Sequence, residues 1–439
     1  MPKILFIQPT QYGGDGLCKQ CRIHLPGLAF PHLAALTPRH WEVELKLEVI
    51  EDVDFDTDAD LVGIGTMGHS IFRGFELADE FRRRGKRVVM GGYMASMARE
   101  ETLEHADSVV VGDAEIGYPR LLADFEATGR IQRIYDDRVD SLAGLPVPRY
   151  ELFRDKPIGP MLPVQAGRGC PHDCSFCSIA CLYRGRYLRR PVDEVVRDIE
   201  AVRAHGYRKF FLIDDNLVAD PEYLAELCRR VTPLGMTWSS QCSLELAKYP
   251  DLLRLVRQSG VVLLSFGLEG IVQEGLDRLG KWWLKADEHA AGLAAIQRAG
   301  IMVSTEMMLG TDGDTEESIR ETLRFVERNR IPIPRFYILT PIPGTDLFDQ
   351  CRREGRLLND DFRQYDGSRC VHRPARMTAE RVTDLYWWLN RRVFSWRSIA
   401  RRTVGNAVLW KNPWLCVFAL AVNVHYRGYV KRGITPNIF

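Results

Sequence analysis

Short apolar runs at positions 3–7, 41–50, 60–66, 87–92 and 108–112 punctuate the first third of the chain. Between the later runs the apolar positions recur at helical spacing, over 70–84 and 99–105, and another helical pattern follows at 117–128. Continuous apolar runs suit strands buried on both faces. Their alternation with helices predicts a parallel, doubly wound α/β sheet over residues 1–135. Loops at the carboxyl ends of such strands form a crevice. The glycines there, in Gly63-Ile64-Gly65-Thr66-Met67-Gly68 and Met90-Gly91-Gly92-Tyr93, are by themselves ordinary turn formers.

The pattern lapses over 136–160, where Pro146, Pro148, Pro157 and Pro160 interrupt any long period, and this stretch reads as a linker. Alternation resumes at 161. Strand signals at 161–166, 209–213, 237–243, 261–268, 301–309 and 335–340 are separated by helical patterns at 192–205, 221–231, 251–258, 287–299 and 315–328. Asp220 before Pro221, and Asp314 or Thr315 ahead of Glu317, mark helix starts. Six such units over 161–350 fit a partial or open (β/α)6 barrel, with its chemistry at the carboxyl ends of the strands. Residues 351–439 form a mostly helical region, with patterns at 379–395, 399–409 and 414–430.

A chain of 439 residues exceeds one hydrophobic core, in keeping with these divisions. Its ordinary hydrophobic and charged fractions exclude a disordered protein, and the net charge of +1 identifies no partner. No apolar stretch reaches the ~20 residues of a transmembrane helix. Met1-Pro2-Lys3 leads straight into the first strand, so no secretory signal is expected. Scattered cysteines suit a reducing cytoplasm rather than a disulfide framework.

One stretch breaks that scatter: Gly167-Arg168-Gly169-Cys170-Pro171-His172-Asp173-Cys174-Ser175-Phe176-Cys177, a C-x3-C-x2-C loop directly after the strand signal at 161–166. Three thiolates can hold three irons of a [4Fe–4S] cube, leaving the fourth for a small molecule with an amine and a carboxylate. The following strand ends carry polar groups. They include Asp214-Asp215-Asn216, Gln241 and Ser243, Ser265 to Glu269, Thr305-Glu306, and Thr340-Pro341-Ile342-Pro343-Gly344-Thr345. Alternation places Ser265, Gly267 and Glu269 on one face. A buried acid there needs a partner, which a ribose diol would supply. Cys18-x2-Cys21 with His24 is half of a metal site at most. It is read here as part of a loop, 11–26, overhanging the first crevice.

The cysteine loop, with Phe176 just before its last cysteine, resembles that of the radical S-adenosylmethionine (radical SAM) enzymes. Nearly the whole chain is similar to the branch in which a cobalamin-binding-type Rossmann domain precedes the barrel. The similarity rests on Gly65-Thr66-Met67, Gly91-Gly92, Phe211 to Asn216, Gly267-Leu268-Glu269, Gly310 and Pro341 to Thr345. The resemblance implies that Cys170, Cys174 and Cys177 ligate the cluster and that SAM chelates its open iron. Asp214, Asp215 and Asn216 would contact the methionine amine, and Phe176 would back the adenine. Ser265 and Glu269 would take the carboxylate and ribose, with Ser243 and Glu306 completing the SAM surroundings. Reductive cleavage of SAM then yields a 5′-deoxyadenosyl radical.

Two departures matter. The D-x-H-x-x-G signature of histidine-ligating cobalamin domains has no counterpart between Glu48 and Asp60, which lacks histidine altogether. Trp282-Trp283 stands where many relatives have a small residue and threonine, and these indoles are candidates for a substrate pocket or for the core. Cys181 is read as structural, because a fourth ligand would block SAM.

The leading expectation is hydrogen abstraction from a small biosynthetic substrate, ending in rearrangement, dehydration, dehydrogenation or ring formation. The alternative is a cobalamin-dependent radical SAM methyltransferase, and a non-catalytic iron–sulfur sensor or carrier comes behind both. An electron donor such as flavodoxin or ferredoxin is implied. After Asp384 the chain has no acidic residue. Its arginines and lysines lie there among Trp387, Trp388, Trp396, Trp410 and Trp414, which suits peripheral contact at the inner face of a membrane. No nucleic-acid module pattern is present.

Overall fold

The computed structural model describes residues 1–13, 16–19 and 24–436. Two compact units result, Met1–Gln165 with Leu188–Phe210, and Ala166–Tyr187 with Phe211–Ile438.

The first unit is built on six parallel strands: Lys3–Gln8, Glu42–Leu47, Leu61–Gly65, Arg87–Gly91, Ser108–Val111 and Ile134–Asp136. Numbered along the chain, their spatial order is 2-1-3-4-5-6. The order reverses beside the first strand, so the switch-point crevice opens at the ends of Lys3–Gln8 and Leu61–Gly65. Leu5, Ile7, Val62, Ile64, Val88 and Met90 lie with Leu77, Ala78 and Phe81 of helix Ser70–Arg83 in one buried cluster. Each large side chain so buried contributes about 2 kcal/mol. The sixth strand escapes the sequence reading because a three-residue edge strand, alternately exposed and buried, has no run to detect.

The described part of the loop at 11–26 folds down over this crevice. Tyr12–Gly13 pairs with Gly16–Leu17, the Tyr12 hydroxyl donates to Glu76 at 2.6 Å, and Lys19 donates to the Glu48 and Glu51 carbonyls at 2.6 and 2.7 Å. Cys21 lies outside the described residues. His24 is buried, which pushes its pKa down to about 4.

The stretch expected as a linker is tied to the first unit throughout. Val139, Leu142 and Leu145 form a small buried cluster, the Tyr150 hydroxyl donates to Pro163 O at 2.9 Å, and Lys156 pairs with Glu51 at 2.7 Å. Proline ends long helices here without loosening the chain.

In the second unit, Thr237–Cys242, Val261–Glu269, Met302–Leu309 and Ile333–Ile338 run parallel, each beside the next. The barrel-type alternation is therefore present. Asp220 caps helix Pro221–Val231 by accepting from Glu222 and Tyr223 N–H. Thr315 caps Glu316–Arg328, with Ser318 rather than Glu317 closing the capping box. The carboxyl-terminal region forms helices Ala379–Val393, Trp396–Arg402 and Pro413–Lys431. No helix among the described residues is long and apolar enough to cross a membrane.

Candidate active site

The cysteine loop is held by its backbone. Gly169 sits at φ +84°, and a Cβ there would stand 2.1 Å from Arg186 O, so only glycine fits. Its N–H donates to Asp215 Oδ2 at 2.7 Å. At the far end, Ser175 N–H donates to Leu279 O at 3.0 Å, and Ser175 O accepts from Leu347 N–H at 2.9 Å. The loop is thus clamped at one end by a strand-end residue and at the other by the end of helix Gln273–Arg278 and the start of helix Asp346–Arg353.

Cys174 is buried and Cys170 and Cys177 are half-buried. Burial pushes all three thiols up, Cys174 to about 12. Neutral thiols are the stable form until a strong positive charge arrives. Among the described residues no three His, Cys, Asp or Glu side chains converge on one metal ion. A cube spreads its protein ligands over separate irons, so three thiols on one short loop are a donor set of that type. Cys181 is engaged elsewhere, its Sγ donating to Gly344 O at 2.8 Å.

The strand following the loop brings Asp214, Asp215 and Asn216 together, with different duties. Asp215 pins Gly169. Asp214 accepts from Asn216 N–H and the Tyr187 hydroxyl, each at 2.9 Å. Burial raises both carboxyls, Asp214 to about 7 and Asp215 to about 6. Asn216 directs Nδ2 to Cys170 Sγ at 3.8 Å, while its Oδ1 is buried without a partner. An orphaned acceptor beside a cysteine of the loop fits an ammonium donor, and such groups are costly unless something fills them.

Glu269 departs from simple strand alternation. The register shifts between Gly267 and Glu269, and Glu269 takes φ +60°. That conformation is strained for a residue with a Cβ. Its carboxylate lies back over Gly267, where a Cβ would come within 2.5 Å of Oε1. The partner that the sequence reading sought from a ribose is present in the chain itself: Lys281 Nζ stands 2.6 Å from Glu269 Oε1 and donates to Gly267 O at 2.8 Å. Burial pushes the Glu269 carboxyl up. Burial also works against the Lys281 charge, but Glu269 and the thiols of Cys174 and Cys177 hold its pKa above the ordinary value.

Ser265 and Glu306 join a second network. Ser265 Oγ donates to Glu306 Oε1 at 3.1 Å. Arg335, buried and directly across the strand pair, donates to both. Ser243 caps the short helix Leu244–Lys248 by accepting from Glu245 N–H at 3.3 Å. Phe176 packs against Leu279, Leu339 and Leu347. Trp283 stacks on His172 at 3.8 Å and 10°, while Trp282 is 65 % exposed. Lys281, Arg335 and His172 were not singled out from sequence. The rule that a buried acid needs a partner was the signal that could have prompted a search for the first two.

A cysteine loop at parallel strand ends, ringed by buried acids and their cations, defines an α/β enzyme of the radical SAM kind. The Radical SAM superfamily model matches residues 164–326. The chain is 30 % identical over 399 residues to bacteriochlorophyllide d C-8(2)-methyltransferase of Chlorobaculum tepidum, covering 86 % of this chain and 88 % of that one. It is 26 % identical over 421 residues to the C-12(1)-methyltransferase of the same organism, covering 93 % and 89 %. Among solved structures it shares a fold with the cobalamin-dependent radical SAM enzyme OxsB in complex with aqua-cobalamin and S-adenosylmethionine, at TM-score 0.71 and 13 % identity over 98 % of this chain and 72 % of that one. The chain belongs to the radical SAM superfamily, and its fold is that of the cobalamin-dependent OxsB.

Proposed function

We propose that this protein is a cobalamin-dependent radical SAM methyltransferase acting on an unactivated carbon of a small molecule. The observation that carries the reading is the orphaned Asn216 Oδ1 beside a three-thiol loop, in a chain whose near full-length relatives bear methyltransferase names. Those relatives favour methyl transfer over the rearrangement or dehydrogenation expected from the missing histidine alone.

Cys170, Cys174 and Cys177 would hold a [4Fe–4S] cluster, and Asn216 Oδ1 would accept from the SAM amine. Bound together, these groups supply a single electron and, from SAM, an adenosyl radical or a methyl group. Asp215 fixes the entrance of the loop through Gly169, and Asp214 fixes Asn216. Lys281 neutralises Glu269 so that a carboxylate can remain buried near the adenosyl moiety. Arg335 does the same for Glu306, and Ser265, whose hydroxyl proton goes to Glu306, would keep one acceptor position for a polar group of SAM.

In the first unit, Gly65, Gly91, Gly92 and Gly112 form a shelf of strand ends, covered by Phe30 at Gly65 and open at Gly112, where a Cβ would meet nothing within 4 Å. Such a shelf fits a broad corrinoid. With no histidine between Glu48 and Asp60, that stretch would give its cobalt no imidazole. A flavodoxin or ferredoxin of the cytoplasm would supply electrons. Trp414, Val417, Phe418 and Val424, exposed on helix Pro413–Lys431, support peripheral membrane contact.

The test is anaerobic reconstitution. Wild type is expected to absorb broadly near ~400 nm, to retain added cobalamin, and to pass the labelled methyl of SAM to product. Cys174→Ala is expected to lose the absorbance. Cluster-free wild type sinks the radical SAM assignment of these thiols, and 5′-deoxyadenosine formation without any cobalamin requirement sinks methyl transfer.

A further inference from the structure

The carboxyl-terminal region carries an open cavity of about 940 Å³ that none of the foregoing chemistry uses. Helix Ala379–Val393 lines it with Trp387 and Arg391, and helix Pro413–Lys431 lines it with Arg427 and Lys431. Both pairs are four residues apart, so each helix presents one continuous stripe to the cavity. Phe394 is buried in its wall, and Arg369 comes from the preceding segment.

The charge of this region is lopsided. From residue 385 to the end there are nine arginines and lysines and no acid. Some have structural duties. Arg402 is fully buried and donates to Ile331 O, Pro332 O, Val393 O and Asn423 Oδ1, and Arg401 pairs with Glu327 at 3.3 Å. Arg369, Arg391, Arg427 and Lys431 form no ion pair among the described residues. The nearby acid Asp366 is taken up by the N–H and hydroxyl of Ser368, at 2.9 and 2.6 Å. Asp361 senses Arg369 only through space. Arg427 donates from Nη1 to Phe394 O at 2.8 Å, and its Nε is buried without a partner. Four like charges around one apolar-walled cavity repel one another until an anion enters.

We propose that this cavity binds a small anionic amphiphile. Its phosphate or carboxylate head is gripped by Arg391, Arg427 and Lys431, with Arg369 at the rim, and its apolar body lies along Trp387 and Phe394. Charge-assisted contacts to planar guanidinium groups supply the head-group affinity, and apolar burial supplies the rest.

Calorimetric titration of the full-length protein tests this with octyl phosphate as probe, against octyl glucoside and inorganic phosphate. Octyl phosphate is expected to bind at one site, weakened by salt. Each of the other probes is expected to bind at least about tenfold more weakly, since each lacks one half of the match. Arg391→Gln with Lys431→Gln is expected to lower affinity for octyl phosphate about tenfold or more, while Arg397→Gln, outside the cavity, leaves it unchanged. If the double variant melts early, the single change Lys431→Glu at an exposed head-group position takes its place. Equal binding by wild type and these variants overturns the proposal, as does equal binding of octyl phosphate and either comparison probe. Phosphatidylglycerol vesicles identify the source of the head group. Cosedimentation that depends on Arg391 and Lys431 supports a membrane lipid, and octyl phosphate binding with cosedimentation unaffected by the two changes supports a free molecule. Vesicle binding without octyl phosphate binding overturns the cavity as the site.

Discussion

The two sheets finish in opposite ways. Strands of the first unit end in glycine, at Gly65, Gly91 and the Gly112 that follows Val111, and present a shelf poor in side chains, with Phe30 packed over Gly65. Strands of the second lead into Asp214-Asp215-Asn216, end in Glu269 and carry the Glu306–Arg335 pair part-way along. A shelf poor in side chains accepts a large group by shape and main-chain contacts. A charged rim needs every charge partnered, and the partners then dictate what small, polar ligand completes it. The proposed function therefore gives one chain a broad, permissive seat and a narrow, exacting one.

The exacting seat breaks most severely at Lys281. Lys281→Met leaves Glu269 buried and unpaired and is expected to lower stability by about 3–5 kcal/mol, whereas Lys281→Met with Glu269→Gln recovers much of the loss. Denaturant unfolding measures both. Equal losses in the single and double variants would mean that the pair is not a unit.

A neighbouring strand end adds a pH dependence. His372 Nε2 donates to Gly310 O at 3.2 Å, and burial holds its pKa down to about 4. In the unfolded chain it titrates near 6.5. Below that pH the unfolded state takes the proton first, so the contribution of this histidine to stability is expected to fall between about pH 6.5 and pH 4, by up to about 3 kcal/mol. His372→Gln should flatten that slope in melts recorded across the range.

The permissive seat breaks at its backbone. Gly92 sits at φ +94°, and a Cβ there would stand 2.4 Å from Thr66 O. Gly92→Ala is expected to cost roughly 1–3 kcal/mol and to reduce cobalamin retention while leaving the ~400 nm absorbance of the second unit intact. Loss of both signals together would erase the contrast between the two seats.

The smallest effect is expected at Ser243. As a helix cap it contributes about 1 kcal/mol, so Ser243→Ala should lower thermal stability slightly and keep kcat. A fall in kcat at unchanged stability would return Ser243 to the SAM surroundings inferred from the resemblance.

Much of this was legible in the chain. Long apolar runs such as 61–65 and 261–269, and caps such as Asp220, report local physics, and they lie where the pattern puts them. The edge strand Ile134–Asp136 and the packed segment around Tyr150 were not legible, because the first is too short to show a period and the second is held by contacts far along the chain. The basic tail divides in the same way. Composition marked it as cationic, but only packing separates Arg402, whose pKa burial brings down to about 9, from the arginines lining the cavity.

Sequence alone determined the alternation of strands and helices, the three-cysteine loop and the list of polar strand ends, because period, spacing and residue chemistry are properties of neighbours. Tertiary structure decided which of those groups are spent on one another. The Gly267–Glu269 register shift turned Glu269 onto Lys281, twelve residues away, Arg335 claimed Glu306 across a strand pair, and Asn216 Oδ1 was left open. Such pairings depend on distances through space, which no local pattern encodes, and they separate a structural charge from one that still awaits its ligand.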